Sequence, residues 1–168
     1  MWNLPSGLLD TFDDGVNTII EFFGKTCVVV YEPSIIDCPN CLNDIFTGSS
    51  ANRYTPGGPI PFADGTVCPF CRGAGTIPQE QTENIKLRVY GNPKDWINVM
   101  PSNIEWPDGT IQTWGYIRDM PKLQRCVELR RHIGIAGYGY MRYRRAGEIV
   151  PHGLGRDHYC IGLWKRIP

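Results

Sequence analysis

The sequence has no long apolar run, few histidines and no excess of either charge, and each shortage removes a class of function. No stretch approaches the roughly 20 apolar residues that span a bilayer. The opening Met1-Trp2-Asn3-Leu4-Pro5-Ser6-Gly7 has neither the basic flank nor the apolar core of a secretory signal. A soluble protein made in the cytoplasm, with no membrane partner, is therefore expected. Seventeen Lys and Arg cancel seventeen Asp and Glu, so overall charge gives no reason to expect a nucleic acid or an anionic membrane as partner.

His132, His152 and His158 are the only histidines. A nucleophilic set of His158, Asp157 and Cys160 is disfavoured, because neighbours along a strand alternate faces and no oxyanion-hole motif accompanies them. A second metal site on His152 and His158 is the minor reading against ordinary structural roles. Asp10, Asp13 and Asp14 read as helix-terminal charges, and Gly153-Leu154-Gly155 lacks the strand and helix that frame a phosphate-binding loop. No catalytic residues and no small-molecule substrate are expected.

What the sequence does hold is turn-forming and aromatic: 19 Gly and 14 Pro beside eight Tyr, six Phe and five Trp, the composition of a loop-rich β protein. Its 168 residues suffice for one core but not for two. Apolar residues at Leu8, Leu9, Phe12, Val16, Ile19, Ile20 and Phe23 recur at threes and fours, which predicts an amphipathic helix from Ser6 to Phe23 that Gly24 stops. The β-branched run Thr26 to Tyr31 predicts the first strand. Ile85 to Tyr90 alternates, with Ile85, Leu87 and Val89 on one face, and Thr110 to Ile117 is a further strand. Leu123 to Arg131 fits either a strand with Val127 and Leu129 inward or a helical turn. Tyr138 to Tyr143 and His158 to Trp164 supply closing strands, with turns at Asn92-Pro93 and Trp106-Pro107-Asp108-Gly109. The expected fold is mainly β: a small antiparallel β-barrel with an N-terminal helix and a zinc-ribbon-like insertion. Its parts are 1–37, helix and first strand; 38–75, the insertion; and 76–168, the remainder of the barrel. Five to seven strands closed into a barrel would protect short edges from pairing.

The insertion carries the strongest signal. Cys38-Pro39-Asn40-Cys41 and Cys68-Pro69-Phe70-Cys71 each set two thiols on one tight turn, and the loop between them is long enough to return and complete a tetrahedron. Four soft ligands suit structural Zn²⁺, with iron of the rubredoxin type, dithiols and disulfides as the other readings. With all four positions filled, none is left for water or substrate. Lys and Arg are scarce nearby, so the negative charge of such a centre would rest on amide N–H donors. The stretch is too poor in aliphatic residues to bury a core without metal. Cys27, Cys126 and Cys160 sit in apolar runs and read as core thiols.

Charge is unevenly spread. Residues 1–84 carry three basic residues against ten acidic ones, and 85–168 carry fourteen against seven, a polarity that favours oriented docking or stacking on copies of the chain. Arg118, Lys122, Arg125, Arg130, Arg131, Arg142, Arg144 and Arg145 form a basic set, with Tyr138, Tyr140 and Tyr143 interleaved where bases could stack. It is a candidate DNA-facing or interface surface, and a zinc-ribbon nucleic-acid-binding or regulatory module is the alternative reading.

Two resemblances add to this. Cys68-Pro69-Phe70-Cys71-Arg72-Gly73-Ala74-Gly75 resembles one Cys-x-x-Cys-x-Gly-x-Gly repeat of the DnaJ zinc domain, but the first pair lacks the glycines and no further pairs exist, so no chaperone role is implied. Ile19-Ile20-Glu21-Phe22-Phe23-Gly24-Lys25-Thr26-Cys27-Val28-Val29-Val30, Tyr143 to Gly153, and Tyr159-Cys160-Ile161-Gly162-Leu163-Trp164-Lys165-Arg166 look like the β-barrel structural proteins of tailed-bacteriophage necks: head-closure, adaptor and tail-completion proteins. That resemblance implies a non-enzymatic virion component of neck or tail, a homo-oligomeric ring with portal-side or tail partners, non-specific contact with passing DNA, and residence in the virion after synthesis in the host cytoplasm.

Overall fold

The apolar stripe near the start of the chain forms helix α1, Ser6–Phe23, in a computed structural model that describes residues 5–92, 109–132 and 139–168. The Gly24 amide closes the helix on the Ile20 carbonyl at 2.9 Å. Asp10, Asp13 and Asp14 do not cap it: the first turn holds no acid. Asp10 and Asp13 instead reach across to Arg156 at 3.2 and 2.6 Å, so long-range pairing takes up the charge assigned to the helix end.

Eleven strands follow among the described residues. Those of the barrel unit are β1 Lys25–Val30, β6 Thr82–Tyr90, β7 Ile111–Tyr116, β8 Glu128–His132, β9 Tyr140–Arg145, β10 Val150–His152 and β11 Tyr159–Ile167. Between β1 and β6 lie β2 Ser34–Asp37, β3 Cys41–Asn43, β4 Ser50–Tyr54 and β5 Thr76–Gln79. The chain divides into Met1–Tyr31 with Thr82–Pro168 as one unit and Glu32–Gln81 as the other.

The barrel closes through β11. Its first part, Tyr159–Trp164, pairs with β7, and its last part, Trp164–Ile167, pairs with β9. The circuit β11-β7-β6-β1-β8-β9 thus returns to β11 with every pair antiparallel, and β10 adds a seventh strand outside it. Closure removes the free edges that strands this short would otherwise expose.

Period-two alternation selects the interior. Cys27 and Val29 of β1, Ile85 and Leu87 of β6 and Leu129 of β8 turn inward, and Val29 stands opposite Leu129 in register. On β11 burial is unbroken from Tyr159 to Trp164, because both faces are covered. Cys160 and Trp164 join the interior, while Tyr159 and Ile161 meet Val16 and Ile20 of α1 on the outside. Gly162 is required on the inner face: a Cβ there would stand 2.8 Å from both Ile149 Cδ1 and Trp164 Nε1. Trp164 Nε1 donates to Thr113 Oγ1 at 2.8 Å, so this fully buried indole is satisfied.

The ambiguous stretch from Leu123 resolves into both alternatives in turn: helix α2, Met120–Arg125, and then β8. The inward placement expected for Val127 fails, since it is 41% exposed. The chain leaves α2 through Cys126, whose buried side chain takes the core position and whose thiol donates to the Glu128 carbonyl. The expected turns at Pro93 and Trp106-Pro107-Asp108, and Tyr138 in the 138–143 run, lie outside the described residues.

Residues 32–81 make two small antiparallel pairs, β2 with β5 and β3 with β4. β2 and β5 lie on either side of the cysteine turns in sequence, and this unit's buried apolar cluster is Cys38, Cys41, Cys68 and Cys71, with Phe62 and Ile77 packed against it.

Candidate metal centre

The two short cysteine turns meet. The Sγ atoms of Cys38, Cys41, Cys68 and Cys71 all lie within 4.8 Å of one another, and all four residues are buried. None of the seven cysteines is in a disulfide, so four mutually close thiols replace the two bonded pairs of the disulfide reading. Cys27, Cys126 and Cys160 are buried in the barrel, as their apolar neighbours indicated.

Local backbone geometry creates the cluster. The first turn runs from β2 into β3, and the second precedes β5. The Cys38 amide donates to the Gly75 carbonyl at 2.8 Å, which ties the entry of one turn to the exit of the other. The exit passes through left-handed conformations at Arg72, Gly73 and Gly75. Gly75 is doubly constrained: its φ is +76°, and a Cβ would lie 2.6 Å from the Ser49 carbonyl carbon. Only glycine meets both conditions without a backbone shift.

The sulfurs are arranged as acceptors. The Asn40 amide points at Cys38 Sγ at 3.4 Å, the Gly75 amide at Cys71 Sγ at 3.3 Å, and the Asn40 side-chain Nδ2 at Cys68 Sγ at 3.5 Å. Asn40 is fully buried and spans the site: its Nδ2 also donates to the Ile60 carbonyl at 2.9 Å, while its Oδ1 accepts the Ile60 amide at 2.7 Å. The cysteine spacing by itself assigns Asn40 no role. The signal available was a lone amide side chain between two thiols on a turn that must satisfy sulfur.

Burial pushes the Cys41 thiol up to about 12, the ordinary consequence of moving a charge-forming group out of water. Burial also works to raise Cys68, but donation from Asn40 and from the Cys71 and Phe70 amides overrides it and brings that thiol down to about 6. Donors aimed at sulfur are what a thiolate ligand needs. A divalent cation at the centre would favour the thiolate at all four positions. The donor set is therefore compatible with a structural Zn²⁺, held by Cys38, Cys41, Cys68 and Cys71 and closed to further ligands.

The histidines do not form a second cluster of this kind; among the described residues the four cysteines are the one group with metal-ligand geometry. His158 is buried, with Nδ1 against Asp13 Oδ1 and Nε2 3.0 Å from the Leu154 carbonyl. His152 Nδ1 lies 3.1 Å from the Tyr159 hydroxyl. The hydrogen bond from His158, ahead of the opposing effect of burial and help from Arg156, holds Asp13 below the usual carboxylate range. These contacts fasten α1 to the chain around β10 and β11.

The basic set divides by partner. Arg130 and Arg142 converge on Glu128 at 2.6 and 2.7 Å. Arg142, against opposing burial and with support from Arg130, holds the Glu128 carboxyl at about 2. Lys122 pairs with Glu83 and with Asp119. Arg118 and Arg125 lie over the rings of Tyr116 and Tyr31, and Arg131 stands opposite Cys27 in register. Arg145 reaches the Gln124 carbonyl, and Arg144 is placed opposite Lys165. Tyr143 is buried in the barrel, which corrects its reading as a stacking platform; the inward face of β9 claims it. Tyr140 is exposed, with its ring edge-on to His132.

No helix among the described residues is long and apolar enough to cross a membrane. Compared with protein-family models, with curated proteins and with solved structures, the chain matches none.

Proposed function

We propose that this chain is a non-enzymatic assembly protein in which Zn²⁺ on Cys38, Cys41, Cys68 and Cys71 fixes the 32–81 unit so that its surface is ordered before a partner arrives. One observation carries the reading. The turn after β3 displays Ile45 at 90% and Phe46 at 93% exposure, yet it is held by its own hydrogen bonds. Asp44 Oδ1 accepts the Phe46 amide at 2.8 Å, and the Asp44 amide and carbonyl bond Ser49 and Gly48, each at 2.8 Å. Two adjacent large apolar side chains held in water on an ordered turn support a docking role, because a partner's apolar surface would remove them from water. Ordering that turn in advance lowers the entropy lost on docking.

The setting we infer is the virion of a tailed bacteriophage, at the neck or tail, in a homo-oligomeric ring with portal-side or tail partners and after synthesis in the host cytoplasm. The resemblance of the α1–β1 and β11 segments supports it, as does the opposite charge of the two units. Mass spectrometry of purified virions tests it: the chain should be present at a fixed stoichiometry to the portal protein, and its absence from intact particles would refute the assignment. The nucleic-acid reading draws on Arg144 and Arg145. It requires salt-dependent binding to isolated DNA that charge reversal at those two positions abolishes.

A further inference from the structure

Lys165 and Arg166, two basic residues outside the 118–145 set, lie on β11 where it pairs with β9. A cleft of about 540 Å³ is lined there by Arg144, Arg145, Lys165 and Arg166, with Ile167 and Pro168 as apolar wall. No acidic side chain lines it among the described residues. The register sets Lys165 directly opposite Arg144. Like charges facing each other across an antiparallel pair destabilise it, so the strands carry an electrostatic cost that an anionic occupant would relieve. Among the described residues no aromatic ring lines the cleft, so they offer no stacking platform of the kind single-stranded nucleic acid uses. Cationic rim and apolar wall together suit an acidic protein segment with a large apolar side chain.

The chain itself carries such a segment. In 32–81, Glu32, Asp37, Asp44, Asp64 and Glu80 face only Arg53 and Arg72. Fifteen of the seventeen Lys and Arg, against twelve of the seventeen Asp and Glu, fall in the barrel unit. The tip reads Asp44-Ile45-Phe46, with Asp44 half-buried and Ile45 and Phe46 exposed. We propose that the Asp44-Ile45-Phe46 tip of one copy docks into the Arg144–Lys165 cleft of a second copy. Tip and cleft are different patches, so the contact is heterologous: each copy offers one of each, and its repetition from copy to copy builds the proposed ring where the rotation closes. The inference rests on the assembly reading above and names its contact.

The test uses the full chain and two variants measured by analytical ultracentrifugation and native mass spectrometry. Ile45→Ser with Phe46→Ser blunts the exposed tip without touching a core. Lys165→Glu halves the net positive charge of the four side chains that line the cleft and converts the like pair with Arg144 into an opposite one, so its thermal stability should equal or exceed that of the natural protein. Expected are concentration-dependent association beyond the dimer that weakens with salt, and at least a tenfold rise in dissociation constant for each variant alone. Mixing the two should restore one intact tip and one intact cleft per pair, giving heterodimers and nothing larger. A natural chain that stays monomeric at all concentrations, variants that associate normally, or a mixture that stays monomeric would overturn the proposal. So would a Lys165→Glu effect confined to DNA binding, which would assign the cleft to nucleic acid. If the chain is found in virions but these associations fail, the docking contact falls and the assembly reading stands.

Discussion

Replacing Asn40 separates the role of its amide from that of mere bulk. Alanine removes two hydrogen bonds to the Ile60 backbone and the donation to Cys68 Sγ from a fully buried position. At about 0.5–1.5 kcal/mol for each neutral bond and about 1.5–3 for one to a charged group, the loss is about 2–4 kcal/mol after water reaches the half-exposed Ile60. If folding of this unit and metal binding are one equilibrium, as the proposed site requires, the loss should appear as Zn²⁺ affinity lower by about 30- to 1,000-fold. Aspartate gives the sharper contrast. It keeps the shape and the acceptor for the Ile60 amide, but it removes both N–H donations and sets a carboxylate beside thiolates. Asn40→Asp should therefore bind Zn²⁺ no better than Asn40→Ala, despite being isosteric. Competition against a chromophoric chelator measures both variants. If either binds within twofold of the natural protein, or if aspartate outperforms alanine, the amide does not support the sulfur ligands and the reasoning fails.

Removing the metal should unfold one unit and spare the other. After chelation, limited proteolysis should cut within 38–75, while hydrogen exchange keeps Val29, Leu87 and Leu129 protected in the barrel. Cleavage spread evenly over both units would contradict that division. Glu128 should make the barrel acid-sensitive. Its carboxyl is held at about 2, so the stability it contributes is full above the unfolded value near 4.3 and disappears as pH falls through about 2. Glu128→Gln should cost about 1–3 kcal/mol at pH 7 and nothing below pH 2, read from urea denaturation at both pH values. An equal cost at both would remove the ion pairs as its cause.

Much of this architecture was legible because it rests on local periodicity. The stripe through Val16 and Ile20 gave α1, and the alternation at Ile85 and Leu87 gave the inward face of β6. The cysteine spacing was legible for another reason: metal-ligand turns are short, and their chemistry is written in adjacent residues. The misses have long-range causes. Val127 looks like a strand residue, but whether it or Cys126 enters the core depends on where α2 ends against the barrel. Asp10 and Asp13 looked like helix-end charges until Arg156, 143 residues from Asp13, came within reach. Arg144 and Lys165 are 21 positions apart and read as separate surface charges, and only the closing register of β9 on β11 sets them opposite each other. The pairing of β2 with β5 is similarly invisible, because Ile35-Ile36 and Ile77-Pro78 become neighbours only once the cysteines meet.

The account stands on four sulfurs gathered into a site of metal-binding shape. The most direct measurement is elemental analysis with X-ray absorption at the zinc edge, on folded protein prepared from cells without chelator. One zinc per chain, surrounded by four sulfurs at about 2.3 Å, is the result predicted. Well-folded protein with no stoichiometric metal, or with zinc ligated by nitrogen or oxygen, would contradict it.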